Sequence, residues 1–234
     1  MSLAQTQSVA LLGLAGHVVG VEVDIADGLP GYALLGLPDA ALSESRDRVR
    51  SAIVNCGEVW PNRKVTVSLS PAWLPKSGSS FDLAICISLL SAHETVPAEK
   101  IADIVFLGEL SLDGRIRSVR GVLPALIAAF KAGVAIAVVP ADNVKEAQLM
   151  QGMEIVPMHH LKQVLRWLRT GERQQEQEFD LQWEHSDLRL DFADVAGQPA
   201  GCSAQSPRRS GHPARKTRRL QRGGAVAKRA GAPI

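Results

Sequence analysis

The sequence predicts a mixed α+β (α/β) domain over about residues 5–170, with several helices returning to one sheet. Three observations predict it. Short runs of Val, Ile and Leu alternate with segments of helical period, and Gly/Pro clusters separate them. The chain is 46% hydrophobic but only 4% aromatic, so its core is built from Leu, Val, Ile and Ala.

SVALLGL (8–14) and VVGVEVDI (18–25) read as two strands joined at Ala15-Gly16-His17, with a third at Tyr32–Leu35. DAALSESRDRVRSAIVNCG reads as one helix with Asp39 as N-cap, an apolar face of Leu42, Val49, Ile53 and Cys56, and an end near Gly57. KVTVSLS (64–70) alternates polar and apolar residues as a strand does, and the loop PAWLPKSGSS leads into FDLAICISLLSA, a helix apolar almost all round and therefore central. IVFLGELSL reads as one strand, and DGR (113–115) turns into IRSV. GVLPALIAAFKAG is a helix ending near Gly133, AIAVVP (135–140) a buried strand, ADNVKEAQLMQG a short helix, EIVPM a short strand and HHLKQVLRWLRTG a last amphipathic helix.

Residues 171–190 turn polar and acidic and read as a linker, 191–198 (DFADVAGQ) return to ordered-looking sequence, and 199–234 form a Gly/Ala/Pro/Arg-rich tail expected to be disordered. That tail holds nine Lys/Arg and no Asp or Glu, which leaves 17 basic and 24 acidic residues in 1–198, so the overall charge of +2 averages two unlike segments. The N-terminus lacks the pattern of a signal peptide and no run of about 18 apolar residues occurs. Cys56, Cys86 and Cys202 are scattered without metal-ligand spacing, so the expected setting is cytoplasmic and no membrane partner is expected.

Four stretches, GLPGYALLGLPDAALSESRDRVRSAIVNCG (28–57), LSPAWLPKSGSSFDLAI (69–85), FLGELSLDGRIRSVRGVLPALIAA (106–129) and VVPADNVKEA (138–147), together resemble the N-terminal domain of the magnesium-chelatase-like ATPases of the ComM/YifB type. DFADVAGQ is similar to the first residues of that family's AAA+ module. The resemblance implies a Lon protease-domain-like fold, shared with a domain of a small-subunit ribosomal protein. Residues 75–80 (Pro-Lys-Ser-Gly-Ser-Ser) then match the Lon nucleophile loop, with Ser80 at the nucleophile's place and Leu123 where the activating lysine would stand. A serine hydroxyl is a weak nucleophile without a base. Lys131 lies roughly 12 Å further along the helix, and Lys76 is a remote candidate four residues before Ser80. The plainer reading of Ser79 and Ser80 is helix capping, with Asp82 suited to the helix dipole. An anion held by the N–H groups around Gly78 is a further alternative.

Arg46, Arg48 and Arg50 read either as a solvated face, with Asp47 pairing to Arg50, or as a contact surface for a partner domain, a neighbouring subunit or DNA phosphate. Cys86 reads as core, and His159-His160 as a surface pair at a helix start.

The intact family, by the same resemblance, binds ATP and magnesium through a Walker A loop and acts as a hexameric motor for DNA branch migration in natural transformation. The sequence holds no Gly-Lys pair, and its nearest string, 210–217, has Ser210 and Arg215 where glycines belong. The expectation is therefore a non-catalytic domain with no cofactor and no small-molecule substrate. A frameshift near codon 198 is expected to have replaced the ATPase module, Walker B, sensor and arginine finger included. Partners are other subunits of the intact ATPase, or DNA bound nonspecifically through the tail, where Arg215, Lys216, Arg218 and Arg219 cluster. A vestigial serine hydrolase using Ser80 is the other alternative.

Overall fold

The computed structural model describes residues 2–172. The linker, the 191–198 remnant and the basic tail, with Cys202, Arg215, Lys216, Arg218 and Arg219, lie outside the described residues. The fold is mixed α/β: a seven-stranded sheet with helices on both faces.

Strands β1 (Ser2–Leu12) and β2 (Ala15–Ala26) form a long hairpin, longer than the pattern predicts and turning at Gly13-Leu14 instead of 15–17. Gly13 takes a φ of +62°, which a tight two-residue turn requires. The early part of β1 is hidden in the sequence because polar Thr6 and Ser8 face inward. Their hydroxyls donate to the carbonyls of Ala84 (3.0 Å) and Phe106 (3.0 Å), which satisfies them in the core.

β3 (Gly31–Leu35) and β4 (Lys64–Ser70) complete one wing. The other consists of β5 (Ile104–Phe106), β8 (Ile136–Pro140) and β9 (Glu154–Met158), and a separate two-stranded ribbon is made by β6 (Glu109–Leu110) and β7 (Ile116–Arg117). The strand order is β3-β4-β2-β1-β5-β8-β9, in which only β2 runs against its neighbours. Six strands thus end at the same edge of the domain. The single strand expected over 104–112 is split at Gly108, whose φ of +155° breaks the ladder between β5 and β6.

The helix expected from Asp39 to Gly57 is two: α1 (Ala40–Ser43) and α2 (Ser45–Asn55), hinged at Glu44. Asp39 does cap the first, accepting from the Leu42 amide at 2.7 Å. Helix α3 (Asp82–Ala92) has every residue buried, as its all-round apolar sequence predicts. It packs with α2 and α6 (Leu161–Thr170) on one face of the sheet; α4 (Val122–Lys131) and α5 (Val144–Ala147) cover the other. α5 is shorter than the predicted 141–152 helix and follows a 3-10 turn at Ala141–Asn143. α6 begins on His160, which forms a capping box with Gln163, and closes on Gly171 in the left-handed region.

Candidate functional site

The loops at the shared C-terminal end of the parallel strands enclose a cleft of about 400 Å³. In parallel sheets this end is where loops diverge and ligand sites form. The cleft is lined by the loop Ser77–Ser80, by Glu109, and by Ser118–Val122 at the start of α4, over an apolar wall of Val9, Leu11, Leu107 and Ala125. The sequence loop that carries Ser80 therefore does line a cleft, opposite the turn that precedes Leu123.

In that cleft Ser80 is not paired with a base. Among the described residues the Ser80 hydroxyl has no hydrogen-bond partner. Leu123 offers no base; its amide donates to the Glu146 carboxylate at 2.9 Å. Lys131 is exposed at the far end of α4. Lys76, the remaining candidate, is 1% exposed. Its ammonium donates to the carbonyls of Leu69 (3.0 Å) and Pro71, so it fastens the end of β4 to the loop. Burial lowers its pKa, yet its protons are committed to those two carbonyls.

Serine capping of α3 is also corrected. No side chain caps this helix. Its early amides are met by main-chain carbonyls: Asp82 donates to Ser79 (3.1 Å) and Leu83 to Gly108 (3.1 Å), while the Gly108 amide returns a bond to the Ser80 carbonyl (3.1 Å). The Ser79 hydroxyl turns instead to the Glu109 carboxylate. The Gly78 amide, on which the anion reading depended, donates to Asp39 at 3.0 Å. Asp39 thus caps α1 with one oxygen and pins the Ser77–Ser80 loop with the other.

Behind the cleft lies a charge cluster that sequence reasoning missed. Asp82 is fully buried and receives Arg48 at 2.6 and 2.9 Å, with the Leu110 amide at 3.3 Å. Arg48 also donates to the Ala41 carbonyl (3.0 Å) and stands 3.8 Å from Glu44. This pair ties α2 and α1 to the start of α3 and to β6, and so holds Glu109 in place. Burial raises the Asp82 pKa to about 6, against the downward pull of Arg48. The detectable signal was an acid in the first turn of a helix otherwise apolar on every side, which implies a buried, paired charge.

The three arginines of α2 consequently divide. Arg48 turns inward to Asp82, whereas Arg46 and Arg50 are exposed one turn apart on the outer face. Arg46 lies over the Tyr32 ring, 5.8 Å from its centroid. The expected Asp47–Arg50 pair is not formed; the ion pairs of this segment run from Arg48 to Asp82 and Glu44. Cys56 and Cys86 are buried free thiols, and burial raises the pKa of both. Among the described residues no helix is long and apolar enough to cross a membrane.

A mixed α/β domain with a serine-bearing loop facing a base-free helix start defines the class: a Lon-like domain of the magnesium-chelatase type. The family described as subunit ChlI of Mg-chelatase matches residues 21–143, and the chain belongs to it. It is 50% identical over 200 residues to an uncharacterized protein of Mycobacterium tuberculosis, covering 85% of this chain and 39% of that protein. It is 39% identical over 201 residues to the uncharacterized protein YifB of Escherichia coli (86% of this chain, 39% of that one) and 38% identical over 173 residues to the competence protein ComM of Haemophilus influenzae (74% and 34%). More distantly it is 25% identical over 169 residues to Lon protease of Trichlorobacter lovleyi (67% and 20%). The chain spans about two fifths of the length of the first two relatives and about one third of the third.

Proposed function

We propose that this chain is a non-catalytic accessory domain of a magnesium-chelatase-like ATPase of the ComM/YifB type, acting in the cytoplasm without a cofactor of its own. The observation that carries this reading is the cleft: Ser80 lines it without a hydrogen-bond partner among the described residues, Leu123 stands where the resemblance would put the activating lysine, and Lys76 is locked onto the carbonyls of Leu69 and Pro71. In the intact protein such a domain helps assemble the subunits or guide DNA, while the AAA+ module supplies the energy for branch migration.

Two measurements test it. Peptide hydrolysis by the purified chain should equal that of a Ser80→Ala variant, both at the level of buffer; activity in the parent that the variant lacks would overturn the reading. The 234-residue chain should also show no magnesium-dependent ATP binding, since its sequence has no Gly-Lys pair for a phosphate loop. Tight nucleotide binding would be equally fatal.

A second reading is favoured by one sequence feature, the nine uncompensated cations of 199–234. They give salt-sensitive, sequence-independent attraction to DNA, weakening by orders of magnitude between about 50 and 200 mM salt if most of the charges touch phosphate. A chain cut after Gln198 should lose this binding. Affinity that survives the cut belongs to the folded domain, with Arg46 and Arg50 the first residues to replace.

A further inference from the structure

Two charged side chains line the Ser80 cleft without pairing with each other: Glu109 on β6 and Arg120 in the turn before α4. The Glu109 carboxylate accepts the Ser79 hydroxyl and has no cation within ion-pair distance among the described residues. Its neighbour inward, Arg48, is bound to Asp82, and its cross-strand partner Arg117 donates to the Ser111 hydroxyl. Arg120 is exposed and, among the described residues, makes no hydrogen bond or ion pair. Beside it the amides of Gly121 and Val122 also have no partner among the described residues, whereas the Leu123 amide is met by Glu146 (2.9 Å).

Much of the remaining lining is apolar. Val9, Leu107, Val122 and Ala125 are each at most 4% exposed, with Leu11 beside them. The volume of about 400 Å³ falls among those of small-molecule sites, roughly 300–1,000 Å³. One anion, one cation and an apolar wall together exclude the simpler occupants. A phosphate or nucleotide meets Glu109 as a like charge, and an alkylamine meets Arg120 as one. A peptide held by its main chain brings neutral amides to both charges and pairs neither. A small zwitterion with an apolar side chain satisfies all three features. Its ammonium pairs with Glu109, its carboxylate with Arg120 and the free amides at the start of α4, and its side chain covers the wall.

We propose that this cleft holds a free α-amino acid with an aliphatic side chain, bound and not converted. The proposal shares the cleft with the reading above but needs neither hydrolysis nor nucleotide, so amino-acid binding can fail while that reading stands. An NMR titration of the full 234-residue chain with L-leucine should give a Kd of about 0.1–1 mM, in keeping with so small a ligand. Leucinamide keeps the ammonium without the carboxylate, and N-acetylleucine the carboxylate without the ammonium. Each should bind at least about 10-fold more weakly than leucine. Glu109→Gln should weaken leucine by about 10-fold and leave N-acetylleucine unchanged, because that ligand brings no cation to the site. Arg120→Gln should weaken leucine by a similar factor and leave leucinamide unchanged. Both variants should keep the parent's thermal melt, and this crossed pattern separates lost charge pairing from a disturbed cleft. No leucine binding up to about 10 mM would overturn the proposal. So would a half-charged ligand that binds as tightly as leucine, which marks a peptide terminus as the occupant, or a variant that weakens all three ligands alike.

Discussion

Replacing Arg48 by methionine is expected to cost about 3–5 kcal/mol at pH 8, because it leaves the Asp82 carboxylate buried without its cation. In a domain of this size that corresponds to a fall in Tm of roughly 10 °C. Asp82 is fully buried, and apart from the guanidinium it has one hydrogen bond, from the Leu110 amide. The loss should depend on pH in a defined direction. Burial holds the folded-state pKa of Asp82 at about 6, above the 3.8 of a free aspartate, despite Arg48. The folded chain thus binds more proton than the unfolded one between those values, and the stability this group contributes is complete below 3.8 and lost as pH rises through about 6. Without Arg48 the pull toward the charged form disappears and the folded-state pKa moves higher still. The variant should therefore recover stability from pH 8 to pH 5, by more than about 1 kcal/mol relative to the parent. Urea denaturation at the two pH values measures it. Adding Asp82→Asn to Arg48→Met should restore much of the loss, since it removes the stranded charge and keeps the shape. A variant equally destabilised at both pH values, and not rescued by the second change, would mean that the pair is incidental.

The same cluster marks where sequence reading stops. Alternation fixes a strand when its inward residues are apolar, as in Lys64–Ser70, whose boundaries agree with the reading. It fails in the first half of β1, where inward Thr6 and Ser8 look like solvent-facing residues until their carbonyl partners are known. Helical period located α2, but not the inward turn of Arg48, because its partner lies 34 residues away. The loop around Ser80 was legible as a candidate site because its residue types and spacing are local. What that loop does was not. The direction of Lys76, the Ser79–Glu109 bond and the capping of α3 by Gly108 are long-range contacts that no local pattern encodes.

Gly36→Ala is expected to be the most damaging small substitution in the domain. Gly36 has a φ of +106°, and a Cβ placed there would sit 2.3 Å from the Leu69 carbonyl oxygen and 3.1 Å from its carbonyl carbon. Both are backbone atoms of β4, so no rotamer change relieves the contact; the strands must part. β3 leaves its register with β4 at Leu35 opposite Ser68, immediately before this residue. The chain then passes through Leu37, whose carbonyl holds the Lys76 amide, and Pro38, which bridges to Lys76, before Asp39 pins Gly78. A shift at Gly36 is transmitted along these three ties into the loop that lines the cleft. The cost should exceed about 4 kcal/mol, a large part of the usual 5–15 kcal/mol of a folded domain. Gly57→Ala separates the clash from the backbone preference: Gly57 also has a positive φ, +86°, but a Cβ there meets nothing within 4 Å. It should cost only about 1–2 kcal/mol, the strain of an L-residue in the left-handed region. Thermal melts of the two variants beside the parent decide the matter, and a Gly36 variant as stable as the Gly57 one would show that the close approach of β3 to β4 does not hold this end of the sheet together.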